Sequence, residues 1–177
     1  EAANRWFEAD CQGILKMATG TGKTVTSLLA AEKVAKLLDN NLALIVAVPY
    51  QHLVEQWTED LETFGAVPVL AYKSRRRWQE KLQRQVLAFN NDARKNVTVV
   101  TTHATFASES FQKELSRIKR EEQMLIADEV HHLGAPHLRQ SLPESIPMRM
   151  GLSATPSRFY DDEGSDALER YFGGVVY

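Results

Sequence analysis

The chain has 177 residues, 44% of them hydrophobic and 25% charged, with a formal net charge of −2. That length and composition suit one globular domain with a full core and exclude a disordered chain. The near-balanced charge excludes a generally polycationic coat protein for nucleic acid, while leaving room for a local basic site.

Cys11 is the only cysteine, which excludes an intrachain disulfide and a multi-cysteine zinc site and points to a reducing compartment. No apolar run has the length of a membrane span and none reads as a secretory signal. The expected location is therefore the cytoplasm, or the nucleus in a eukaryote, with no membrane partner. The first residue is Glu1, with no initiator methionine, as expected of a piece of a longer protein.

In chain order, the first feature is "GILKMATGTGKTVTSLLAAEKVAKLL" at residues 13–38. It reads as an apolar strand, a glycine-bearing loop and a long helix, with Val25, Leu28, Leu29, Ala31, Val34 and Leu38 expected on the inner side. Met17 stands where the usual phosphate-loop spelling G-x-x-x-x-G-K-[ST] has its first glycine. A phosphate cradle needs inward backbone N–H groups with a helix N-terminus behind them. The segment from Thr19 through Gly20, Thr21 and Gly22 to Lys23 and Thr24 has that form. Lys23 would reach the β- and γ-phosphates of ATP, and Thr24 would place its hydroxyl on Mg²⁺. A glycine turn with a chance lysine is the competing reading; the strand before and the helix after weigh against it.

Next come "LALIVAV" (42–48), a helical pattern with Leu53, Trp57, Leu61 and Phe64 inward, and "VPVLAY" (67–72). The basic run "YKSRRRWQEKLQR" (72–84) offers arginines beside a tryptophan, a combination able to grip phosphates and stack on a base. Consecutive Arg75, Arg76 and Arg77 would fan around a helix with Trp78 and Leu82 packed inward, so a solvated face is the preferred reading. Further strands are expected at "VTVVTT" (97–102), "MLIAD" (124–128) and "RMGLSA" (149–154). An acidic loop with a short helix follows, and "FGGVVY" (172–177) is a possible last strand.

Several of these runs are apolar at consecutive positions, the mark of strands buried on both faces. Their alternation with helices implies an α/β fold, a mostly parallel sheet with helices on both faces, in one domain over residues 1–177. Cys11 and Met124 are expected in or near the core.

"LIADEVHH" ends an apolar strand in Asp128 and Glu129. A phosphate-loop enzyme needs an acid at a strand end for hydrated Mg²⁺, which suits Asp128, and a base for the attacking water, which suits Glu129. Two solvated acids at a strand end would be preferred if the motif stood alone. A zinc site on His131, His132 and His137 is set aside, because they lack i, i+4 spacing and a nearby cysteine.

"ATGTGKT", "DEVH" and "SATP" occur in that order over residues 18–156. With them the chain resembles the first RecA-like domain of a superfamily 2 helicase or translocase, a P-loop NTPase fold. The spelling "DEVH" followed by "MGLSATPSR" is nearer to the DNA-acting branch, with XPB-like and UvsW-like helicases and restriction motors, than to DEAD-box RNA helicases. The resemblance implies ATP hydrolysis coupled to movement on nucleic acid, DNA ahead of RNA. It places His131 between the nucleotide and the "SAT" loop, where Ser153 and Thr155 would transmit nucleotide state. It also implies that Pro49, Gln51, Thr101, Thr102 and His103, in loops after strands, lie along the sugar–phosphate backbone. A second RecA-like domain would supply arginine fingers, so this chain alone is expected to turn ATP over very slowly. A nucleotide-gated clamp or scaffold on nucleic acid, without movement, is the alternative. The upstream glutamine that reads adenine in this family would precede Glu1.

Overall fold

A computed structural model of the chain describes residues 1–18, 20–154 and 162–177. Six strands form one sheet: β1 (Gln12–Lys16), β2 (Leu42–Val48), β3 (Val69–Ala71), β4 (Asn96–Thr102), β5 (Gln123–Ala127) and β6 (Met148–Ser153). Their spatial order is β1-β6-β5-β2-β4-β3 and every pairing is parallel. The helices are α1 (Ala2–Glu8), α2 (Lys23–Leu37), α3 (Gln51–Thr63), α4 (Arg75–Asn90), α5 (His103–Phe106), α6 (Glu109–Leu115), α7 (Pro136–Arg139) and α8 (Asp162–Phe172).

β2 lies between β5 and β4 and is apolar and buried at all seven positions. Side chains alternate across a strand, so Ala43, Ile45 and Ala47 enter one apolar cluster and Leu42, Leu44, Val46 and Val48 the other. Helices α4 and α8 cover the first face through Trp78, Leu82, Val86, Leu168 and Phe172. Helices α1, α2 and α3 cover the second through Trp6, Leu28, Val34, Val54, Trp57 and Leu61. The expected two-faced parallel architecture is what the chain adopts.

Two helix assignments divide on burial. In α4, Trp78 and Leu82 are buried while Arg75, Arg76 and Arg77 are exposed, as the solvated-face reading requires. In α2 the expected inner side holds at Leu28, Ala31 and Val34 and fails at Val25 and Leu29. Ser27, Leu28, Ala30, Ala31 and Val34 are buried, whereas Val25 and Leu29 are half exposed. Small residues at 27, 30 and 31 let the helix lie close to the sheet, and the stripe that includes Val25 and Leu29 turns outward.

Met124 is fully buried and Cys11 half-buried. The last residues run beside β1, where Gly174 C=O accepts from Ile14 N at 2.7 Å and Val176 N donates to Ile14 C=O at 3.1 Å. They form one isolated bridge between Ile14 and Val175 instead of a full strand. A short helix not expected from the sequence, α1, plugs the sheet edge with Trp6, whose indole N–H donates to Arg149 C=O at 3.0 Å.

Candidate nucleotide and nucleic-acid site

Parallel strands share a direction, so the segments following β1, β2, β4, β5 and β6 all emerge at one edge of the sheet. The glycine loop leaves β1 there and enters α2. Gly20 and Gly22 have φ of 78° and 86°, a left-handed conformation that costs little only for glycine. A Cβ built on either meets nothing within 4 Å, so the loop borders open space. Thr21 closes the turn by donating its hydroxyl to Ala18 C=O at 2.7 Å.

Gly20, Gly22, Lys23 and Thr24 line a cleft of about 410 Å³, and Asp128 and Glu129 face them across it. That volume lies within the range of roughly 300–1,000 Å³ usual for small-molecule sites. Lys23 Nζ lies 3.5 Å from Glu129 Oε1, with its side chain 12% exposed. It is buried and makes no hydrogen bond among the described residues. An ammonium so placed has donors to spare for an anion. The open glycine loop, the Lys23 donors and the facing carboxylates therefore fit a nucleotide phosphate chain and its magnesium. Thr24 and Asp128 are the residues that would hold the metal.

Asp128 follows β5 directly and donates its N–H to Ala47 C=O at 2.8 Å. Its Oδ1 accepts from Glu129 N and its Oδ2 from the Trp57 indole, each at 2.9 Å. Burial raises the Asp128 pKa above the ordinary carboxylate value, and these two donors pull in the other direction. Glu129 takes φ 44°, ψ 53° as the chain turns into a 3-10 segment at Val130–Gly134. A left-handed glutamate is uncommon and is tolerated where the surroundings hold it. Its Oε2 lies 3.4 Å from His131 Nδ1, and the same nitrogen is 3.2 Å from Ser153 Oγ. Lys23, Glu129, His131 and Ser153 thus form one continuous polar chain from the glycine loop to the end of β6.

The segment after β2 carries Pro49, half-buried, and Tyr50 and Gln51, both exposed. Tyr50 stacks on His52 with ring centroids 5.7 Å apart and meets the edge of His132 at 5.4 Å. Thr101 and Thr102 close β4, as expected of a strand over 97–102, and His103 opens α5. Thr101 and His103 are 0% and 2% exposed, and Thr102 is 8% exposed. Thr101 Oγ1 donates to Ala71 C=O at 2.7 Å, and Thr102 Oγ1 caps α5 by accepting from Thr105 N. β4 thus runs through Thr102, and the side chains of Thr101, Thr102 and His103 all turn inward. Ala104 is the exposed residue of that turn. Thr19 and Thr155, expected in the cradle and in coupling, lie outside the described residues.

One participant escaped the sequence analysis. Trp57, read there as a core side chain, is buried and also donates to Asp128. The closely spaced Gln56-Trp57 pair on the helix after β2 was the available signal, because a buried indole N–H calls for an acceptor.

A family model described as "Type III restriction enzyme, res subunit" matches residues 1–158. Two relatives described as putative DNA 3'-5' helicase Rad25 are similar to this chain. The one from Halobacterium salinarum is 31% identical over 158 residues and the one from Haloarcula marismortui 25% over 159. Each alignment covers 89% of this chain but 23% and 22% of those proteins, so the chain spans less than a quarter of their length. Among solved structures, a nuclease-deletion mutant of the Type ISP restriction-modification enzyme LlaGI, in complex with a DNA substrate mimic, superposes with a TM-score of 0.71. That match is 19% identical and covers 99% of this chain and 19% of that one. The Pyrococcus furiosus Hef helicase domain superposes at 0.64 with 19% identity, over 95% of this chain and 34% of that one. These superpositions show the same RecA-like fold.

Proposed function

Since the chain belongs to the Type III restriction enzyme res-subunit family and is a helicase-family domain, we propose that it is the first RecA-like domain of an ATP-driven DNA translocase or helicase. The observation that carries this reading is Lys23 lying against Glu129 across an open cleft, with Asp128 and Thr24 beside them. Lys23 binds and neutralises the terminal phosphates. Glu129 accepts the proton of the attacking water, and His131 holds the other Glu129 oxygen in place. Magnesium, held by Thr24 and Asp128, would supply charge neutralisation along the phosphate chain.

Pro49, Gln51 and the exposed turn at Ala104 share the sheet edge with this cleft and are the contacts we assign to the polymer backbone. Ser153, reached from Glu129 through His131, links nucleotide state to that edge. A second RecA-like domain completes the site with arginine fingers, which contribute on the order of 10³–10⁵ in rate elsewhere, so this chain alone hydrolyses ATP very slowly.

The test is ATP turnover by a protein carrying both domains, with no polymer, RNA, single-stranded DNA and duplex DNA, and Lys23→Ala as control. Strong stimulation by duplex DNA, lost in the control, is expected. MgATP binding without stimulation by any polymer would replace the motor with a nucleotide-gated clamp.

A further inference from the structure

Asp128 is gripped from two sides. Glu129 N holds Oδ1, and the Trp57 indole holds Oδ2 from a helix 71 positions away in sequence. Trp57 is 2% exposed and sits between Val54 and Leu61, which are 0% and 1% exposed. All three belong to one apolar cluster under α3. Its N–H is aimed out of that cluster, into the cleft that Lys23, Thr24 and Asp128 line.

We infer that Trp57 is a positioning residue for Asp128, orienting its carboxylate toward a cation shared with Thr24 and making α3 part of the nucleotide site. The inference rests on the functional reading above, in which Asp128 serves the metal of a bound nucleotide.

The rotation of a carboxylate about its last torsion is soft, with no sharp staggered wells. One donor on each oxygen fixes both its place and its plane. Each oxygen keeps a further lone pair for a metal ion or a metal-bound water. An indole N–H donates and never accepts, so it cannot compete with a cation by offering its own lone pair. Partners of this kind, which touch the ligand and not the metal, commonly change metal affinity by about 10- to 100-fold when removed. If packing were the whole role of Trp57, a phenylalanine would fill much of the space without an N–H to satisfy.

Gln51, at the start of α3, belongs to the segment assigned to the polymer, and Trp57 lies six positions further on, a span of roughly 9 Å along a helix.

The test is binding of a fluorescent ATP analogue to this chain as magnesium is titrated. Trp57→Phe is expected to raise the magnesium concentration at half-saturation by about tenfold. Trp78→Phe, at a comparably buried tryptophan on the opposite face of the sheet, is expected to leave the magnesium midpoint where it is. An unaltered midpoint in Trp57→Phe overturns the inference. No nucleotide binding by the unmutated chain overturns the functional reading as well, which separates the two failures.

A second readout needs no change at Trp57. With the three tryptophans fluorinated and assigned through Trp6→Phe and Trp78→Phe, the Trp57 fluorine resonance is expected to move when magnesium joins bound nucleotide. If Trp57→Phe does not fold, this readout decides. A stationary Trp57 resonance counts against the inference.

Discussion

Lys23 Nζ and Glu129 Oε1 lie 3.5 Å apart across the cleft, one from the start of α2 and the other from the turn after β5. The pair joins the group proposed to bind phosphate to the group proposed as base, and each holds the other in position. Removing either has a different consequence. Glu129→Gln keeps the volume and the glycine loop but loses the proton acceptor. ATP binding is expected within a few-fold of the original, with turnover in a two-domain protein reduced by at least about 10². Lys23→Ala is expected to lose binding itself. Fluorescent-nucleotide titration alongside phosphate release distinguishes them, and normal turnover by Glu129→Gln would remove it as the base.

Much of this arrangement was legible in the sequence, for identifiable reasons. β2 and β5 are apolar at consecutive positions because both faces of each are covered, and their limits fall within a residue of the expected ones. The glycine loop and the Asp128-Glu129 pair stand out in the sequence, and the structure brings them to one cleft. What periodicity could not give is the direction of polar side chains near strand ends. Thr101 and Thr102 end β4 where a strand was expected, and only the structure shows the Thr101 hydroxyl turning to Ala71 C=O and the His103 ring turning inward. Val25 and Leu29 look like core, but the small residues of α2 occupy the contact with the sheet. Trp57 fits the apolar stripe of α3 so well that its polar edge went unread.

Gly22 offers a test of the cradle that leaves its chemistry untouched. It caps α2 in a left-handed conformation, φ 86°, ψ 28°. Gly22→Ala meets no steric obstacle, because nothing lies within 4 Å of the added Cβ. The cost is therefore backbone strain alone, about 1–2 kcal/mol. Nucleotide affinity is expected to fall by about tenfold as the loop relaxes, with a small decrease in thermal midpoint. Undiminished affinity would mean that the loop conformation does not set phosphate binding.

Glu114 tests the far face of the sheet. It is fully buried, accepts from Gln79 Nε2 at 3.0 Å and Gln83 Nε2 at 2.7 Å, and pairs with Arg117 at 3.3 Å. These contacts tie α4 to α6. Glu114→Ala leaves two half-buried amides without their acceptor, at an expected cost of about 1–3 kcal/mol. Arg117 is half exposed and can turn to water, which limits the loss. Urea unfolding measures it, and an unchanged midpoint would show that water replaces the carboxylate there.

His103 makes stability depend on pH. Burial first, and then the neighbouring His132, push its pKa from 6.5 down to about 3. The folded chain holds the ring neutral, although the Ala47 and Asp128 backbone groups beside it pull weakly the other way. The unfolded chain protonates it below 6.5, so its contribution is fully present above that value and is lost as pH falls toward 3. Each pH unit in that window costs about 1.4 kcal/mol. Between about pH 7.5 and pH 5 the loss from this ring is therefore about 2 kcal/mol. His103→Leu removes the titrating group while keeping an apolar side chain beneath the turn. Its unfolding free energy is expected to fall less over that interval, by about the same 2 kcal/mol. Parallel urea titrations at the two pH values measure the difference, and equal pH dependence in both chains would place the acid sensitivity on other groups.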